Sequence, residues 1–178
     1  MKKVWNKVLL SAVVLGALAG CAGEEDTIIM APVPQVKSQF TPQTAWSASI
    51  GGGVGHYFSK LSPAYEYGKV FVASREGLVK ALDPENGQTL WQTDLEGEVI
   101  ARLSGGITAA YGQLYIGSEN CEVIALDAES GEINWRMNVD GEVLAAPAAD
   151  DNLVIVNTSR GMLVALDQTS GEQKWTIS

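Results

Sequence analysis

Beyond residue 60 the chain is written in short apolar runs separated by polar turns, and the runs recur. Val70–Ala73, Leu114–Gly117 and Leu153–Val156 are rich in β-branched and aromatic residues. Leu78–Leu82, Val123–Leu126 and Met162–Leu166 follow them after short turns. Runs of this length bounded by turn residues predict strands. They are nearly continuously apolar rather than alternating, which predicts sheets covered on both faces. An earlier strand fits Ser62–Tyr65, Gly106–Ala110 and Ala145–Ala149, and a last one carries a tryptophan at Trp91, Trp135 and Trp175. Four strands in about 40 residues is the signature of a propeller blade.

The runs belong to a repeat. The 25 residues from Tyr67 to Trp91, from Tyr111 to Trp135 and from Asp151 to Trp175 align without gaps. Each contains Ala-Leu-Asp, three residues, Gly, three residues, Trp. The shared positions are Asp83, Asp127 and Asp167, then Gly87, Gly131 and Gly171, then the tryptophans. Asp-Pro-Glu-Asn-Gly at 83–87 reads as a turn with glycine where a positive φ is needed. In the turn before it, Gly77 and Gly161 align with Cys121, so the second copy carries a small side chain where its siblings have none. Each tryptophan can bury roughly 150–250 Å² and is expected to dock on a neighbouring blade.

Trp46 lies before the first full repeat, with no Ala-Leu-Asp ahead of it. Its surroundings read as a last strand at 44–50 that closes a blade begun elsewhere. The expected organisation is all-β, a β-propeller of four-stranded blades: a closing strand at 44–50 and blades at about 61–95, 105–139 and 144–178. Propellers have roughly 4–8 blades, so three blades and a strand are expected to be part of a longer chain.

The N-terminal residues read as an address. Lys2, Lys3 and Lys7 precede the apolar stretch Val8–Ala17, and small residues lead to Cys21. That order is a secretory signal at 1–20, too short for a membrane span. Leu18-Ala19-Gly20-Cys21 resembles the bacterial lipobox, which implies lipidation of Cys21, and two or more acyl chains anchor a protein stably. Ala22 follows, not an Asp that would suggest inner-membrane retention, so the outer membrane is expected. Residues 21–43, with Pro32, Pro34 and Pro42, read as a tether.

Charge then removes whole classes of function. The chain has 12 basic and 21 acidic side chains; loss of the three leader lysines leaves nine against 21. So acidic a chain repels phosphate backbones and anionic headgroups, so no nucleic-acid partner is expected. With Cys21 lipidated, Cys121 has no intrachain partner and reads as a small hydrophobe in a tight turn. His56 is the single histidine and reads as a loop residue. Gly51–Gly55 lacks the Lys-Ser/Thr of a phosphate loop and reads as a flexible linker. No catalytic, cofactor-binding or metal-binding residue is expected.

The Ala-Leu-Asp-x3-Gly-x3-Trp element resembles the PQQ-like repeat of the quinoprotein propellers. With the lipobox, the proline-bearing tether and Gln39–Trp46, the chain is similar along its length to the N-terminal part of the BamB family. That resemblance implies an eight-bladed ring and a non-catalytic, lipid-anchored subunit of the β-barrel assembly (BAM) machinery of the outer membrane. It implies as partners the POTRA domains of BamA, other BAM subunits and unfolded outer membrane proteins, with no cofactor. Two other readings are a quinoprotein dehydrogenase and a periplasmic propeller with another partner. The first requires a quinone with calcium, for which no ligand set is visible.

Overall fold

The computed structural model describes residues 31–178 apart from positions 33, 35, 36, 38, 58 and 98. Cys21 and the signal segment lie outside the described residues. Internal contacts separate Met1–Pro42 from Gln43–Ser178, and the second unit carries the strands.

Twelve strands form three antiparallel sheets of four. The first holds β1 (Ala64–Glu66), β2 (Lys69–Ala73), β3 (Leu78–Leu82) and β4 (Thr89–Asp94). The second holds β5 (Leu103–Ala110), β6 (Gln113–Ser118), β7 (Glu122–Asp127) and β8 (Ile133–Asn138). The third holds β9 (Ala148–Ala149), β10 (Leu153–Asn157), β11 (Leu163–Asp167) and β12 (Gln173–Ile177). Each sheet is an up-and-down meander in chain order, and the innermost strands β1, β5 and β9 touch in sequence. This is propeller-blade architecture, and the twelve strands overlap those read from the apolar runs.

The continuous apolar runs have a direct cause. Successive side chains of a strand point to opposite faces. In β6, Leu114 and Ile116 enter a core shared with the first sheet, whereas Tyr115 enters a core shared with the third. In β7, Ile124 and Leu126 face the first core and Val123 and Ala125 face the second. All seven are fully buried. The middle sheet is therefore dry on both sides, so alternation has no polar half to show.

Two expectations change. Residues 44–50 form no strand: among the described residues no ladder partner lies beside them. An extended segment becomes a strand only when a neighbour takes its hydrogen bonds. Gly51–Gly55 is not a slack linker but a run of tight turns, with φ positive at Gly51, Gly53 and Gly55. The Arg75 amide donates to the Gly53 carbonyl at 2.8 Å and so ties these turns to the first sheet.

Candidate functional site

The repeat residues meet at the junction between sheets. In each β3–β4-type turn the aspartate organises the backbone. Asp127 Oδ1 accepts from the Glu129 and Ser130 amides at 2.9 and 2.7 Å, and from Ser130 Oγ. Asp167 repeats this with Thr169 and Ser170, and Asp83 accepts from the Glu85 amide at 2.7 Å. The Gly131 amide then donates to the Asp127 carbonyl, as Gly87 does to Asp83 and Gly171 to Asp167. The hydrogen bonds donated to the side-chain oxygens of Asp127 and Asp167 favour their ionised forms. The Ser130 amide is the main cause of a lowered pKa at Asp127. The Ser170 amide, followed by Lys174, holds Asp167 at about 2.

The folded turn is a receiver for the tryptophan of the preceding blade. Gly131 has φ of 77°, and a Cβ placed on it would lie 2.5 Å from Trp91 Cε3. Gly171 stands in the same relation to Trp135, and Gly87 to Trp46. The glycine thus has two reasons to be there: a left-handed backbone and an indole lying flat on its α-carbon. The indole N–H closes the contact by donating to the carbonyl of the residue after the aspartate. Trp46 donates to Pro84 at 2.8 Å, Trp91 to Ala128 at 3.3 Å and Trp135 to Gln168 at 3.1 Å. Thr93 Oγ1 adds a hydrogen bond to the Gly131 carbonyl at 2.6 Å.

Trp46 therefore does the work of a last-strand tryptophan without a strand around it. Trp175 differs: it is 39% exposed against 7% for Trp135, and its N–H has no partner among the described residues.

Some participants escaped the sequence reading. The alanine of Ala-Leu-Asp faces the tryptophan across the ladder: Ala81 opposes Trp91, Ala125 opposes Trp135 and Ala165 opposes Trp175. All three alanines are fully buried, and a register shift follows each. Phe71 and Tyr115 hold equivalent positions and tilt against Trp91 and Trp135 with centroids 6.0 and 6.1 Å apart. The recurrence of Ala was visible; its pairing with Trp needed the register. Cys121 is partly exposed with φ of 61°, so its position demands a left-handed backbone, which explains glycine in the sibling turns. His56 is exposed in the Gly-rich turns.

The opposite edge of the sheets carries the β2–β3-type turns and the connections between blades. There Arg75 forms a two-pronged ion pair with Glu119 at 2.8 and 2.9 Å. These residues hold the same repeat position in adjacent blades. The Arg75 guanidinium also lies 4.3 Å from the centroid of the Tyr57 ring. The connection between the first two sheets is tied down on this turn: the Leu95 amide donates to Gly77 and the Leu103 amide to Arg75. A cleft of about 400 Å³ opens beside Arg75, bounded by the Gly52–Gly55 turns, Tyr57, Ile100 and Arg102. Among the described residues no group of three His, Cys, Asp or Glu side chains is placed to hold a metal.

Comparison with known proteins places this geometry. The family described as outer membrane protein assembly factor BamB matches residues 35–103 and 75–178. The protein of that name from Vibrio cholerae is 72% identical over the whole of this chain, which covers 46% of that relative. The chain thus spans about half the length of the curated relatives it matches. The crystal structure of BamB from Moraxella catarrhalis is similar with a TM-score of 0.60 at 28% identity, over 66% of this chain and 35% of that one. A quinohemoprotein alcohol dehydrogenase from Pseudomonas putida HK5 superposes with a TM-score of 0.62 over 75% of this chain and 22% of that one. At 19% identity that likeness is one of fold alone. The chain belongs to the family of outer membrane protein assembly factor BamB.

Proposed function

We propose that this chain is the N-terminal portion of a non-catalytic scaffold that assists folding and insertion of β-barrel proteins into the outer membrane. The observation that carries the reading is membership of the assembly-factor family, with a blade-docking element built three times over. In this reading residues 1–20 are a signal peptide, Cys21 is lipidated, residues 21–43 form the tether, and residues 44–178 are one part of a ring. Its partners are the POTRA domains of BamA, the other BAM subunits and unfolded outer membrane proteins. The side chains described here are spent on architecture: the aspartates fold turns, the glycines receive indoles and the tryptophans lock blades. The likeness to the alcohol dehydrogenase brings no dehydrogenase chemistry with it, because its support is confined to the fold. Deleting the full-length protein's gene and restoring it on a plasmid tests the proposal. Lowered levels of outer membrane barrel proteins, recovered by the wild type and not by Cys21→Ser, are expected. Unchanged barrel levels, or quinone-dependent oxidation of an alcohol by the purified protein, would overturn it.

A further inference from the structure

Asn86 and Gly87 form the chain's one Asn-Gly pair, and it lies in the turn that receives Trp46. An asparagine followed by glycine is open to an intramolecular reaction. Glycine has no side chain to obstruct attack by its own amide nitrogen on the neighbouring carboxamide. Docking an indole does not call for this pair. The sibling turns place Ser130 and Ser170 where the first blade has Asn86. Each hydroxyl donates to its aspartate, at 2.9 and 3.1 Å, and accepts from the amide two residues on, at 3.2 and 3.3 Å. Asn86 makes the same two bonds: Nδ2 donates to Asp83 Oδ2 at 3.0 Å, and Oδ1 accepts from the Gln88 amide at 2.8 Å. The carboxamide copies the hydroxyl and adds a group that can leave.

The docked turn holds these atoms unreactive, although Asn86 is exposed to water. The Gly87 amide donates to the Asp83 carbonyl at 2.8 Å, so its nitrogen is already committed. Ring closure also requires the 86–87 peptide to turn, which would drive Gly87 against the indole of Trp46. There is no room for that, since a Cβ on Gly87 would lie 2.5 Å from Trp46 Cε3. The indole also bonds the Pro84 carbonyl and so spans the turn. Its own hold is slight. Residues 44–50 have no ladder partner among the described residues, and Lys80 Nζ adds one exposed bond to the Ser49 carbonyl at 3.1 Å. Segments held by so few contacts open locally while the rest of a fold stands.

We propose that Asn86 is a modification site guarded by Trp46, and that it converts to isoaspartate when the indole leaves the turn. Once released, the Gly87 nitrogen gives its proton to solvent base and bonds to Asn86 Cγ. The Cγ–Nδ2 bond breaks, Nδ2 takes up a proton and departs as ammonia, and a succinimide ring remains. Water then opens the ring at either carbonyl, giving aspartate or isoaspartate. In isoaspartate the main chain runs through Cβ and Cγ and is one methylene longer. Gly87 then no longer sits beneath the indole, so a reversible undocking becomes permanent.

The test incubates the full-length protein at mildly alkaline pH, digests it and reads residue 86 by tandem mass spectrometry for the mass gain of amide-to-acid exchange. The folded wild type is expected to convert at least about tenfold more slowly than a free peptide of residues 81–92, because only the open turn reacts. Trp46→Ala should speed conversion at least about fivefold with an unchanged circular dichroism spectrum. Trp46→Phe, which loses the bond to Pro84 and keeps a ring, serves if that variant folds poorly; it should speed conversion about twofold. Asn86→Ser should end the conversion at the wild-type melting temperature, because serine makes the same turn bonds in the sibling blades. A folded wild type that converts at the peptide's rate would overturn the proposal. So would folded Trp46 variants that convert no faster than the wild type.

Discussion

Gly131→Ala separates backbone conformation from blade docking. Any alanine at φ of 77° meets the left-handed penalty, about 1 kcal/mol. At Gly131 the new methyl also falls 2.5 Å from Trp91 Cε3 and 2.8 Å from Thr93 Oγ1. Neither can yield cheaply: Trp91 is tilted against Phe71 and bonded to Ala128, and Thr93 is bonded to Gly131 itself. Displacing a packed ring of this kind costs about 1–3 kcal/mol, so the total loss should be about 2–4 kcal/mol. Gly112 is the internal control. It has φ of 75° in the same blade, with nothing within 4 Å of a would-be Cβ. Gly112→Ala should therefore lose only the backbone share, about 1 kcal/mol. Urea unfolding followed by fluorescence and by circular dichroism gives both midpoints. A cycle with Trp91→Leu should recover much of the Gly131→Ala loss, because the obstacle is gone. Equal losses for the two glycine variants would refute the receiver role of the turn.

Other outcomes follow from the same contacts. Trp135→Ala empties a nearly buried site and frees the Gln168 carbonyl, and should cost about 3–5 kcal/mol in the same assay. Asp127 and Asp167 have folded pKa values below the usual one, so the fold favours their ionised forms. Their stabilisation is complete above about pH 4 and is lost as pH falls toward 2, and Asp167→Asn should flatten part of that acid limb in pH-dependent melting. Cys121→Gly relieves a left-handed side chain at the cost of a looser unfolded chain, so its melting temperature should hold or rise, with a gain of no more than about 1 kcal/mol.

Much of this fold was legible because each blade says the same thing three times. The strand runs around Phe71, Tyr115 and Ile155 mark equivalent ladders, and the Asp, Gly and Trp positions were visible from their spacing. The receiver was not, since it joins Trp91 of one repeat to Gly131 of the next and depends on twist and register. The bulge after Ala81, Ala125 and Ala165 left no mark beyond a recurring alanine. Gly51–Gly55 misled for a physical reason: a glycine-rich stretch reads as slack unless its anchor is known, and the anchor is the Arg75 amide in the turn between β2 and β3. The Arg75–Glu119 pair was readable in principle, since aligned repeat positions carry opposite charges in adjacent blades. Trp46 was legible as a last-strand tryptophan ahead of the first full repeat, but its lack of a ladder neighbour among the described residues is a fact of three dimensions.

Affinity purification of the full-length lipidated protein from detergent-solubilised outer membranes tests the central claim most directly. The account predicts that BamA and the other BAM subunits come with it in fixed proportion, and that Cys21→Ser lowers that yield by removing the protein from the membrane. Recovery of the protein without BamA, or with a bound quinone and calcium in place of the assembly subunits, would contradict it.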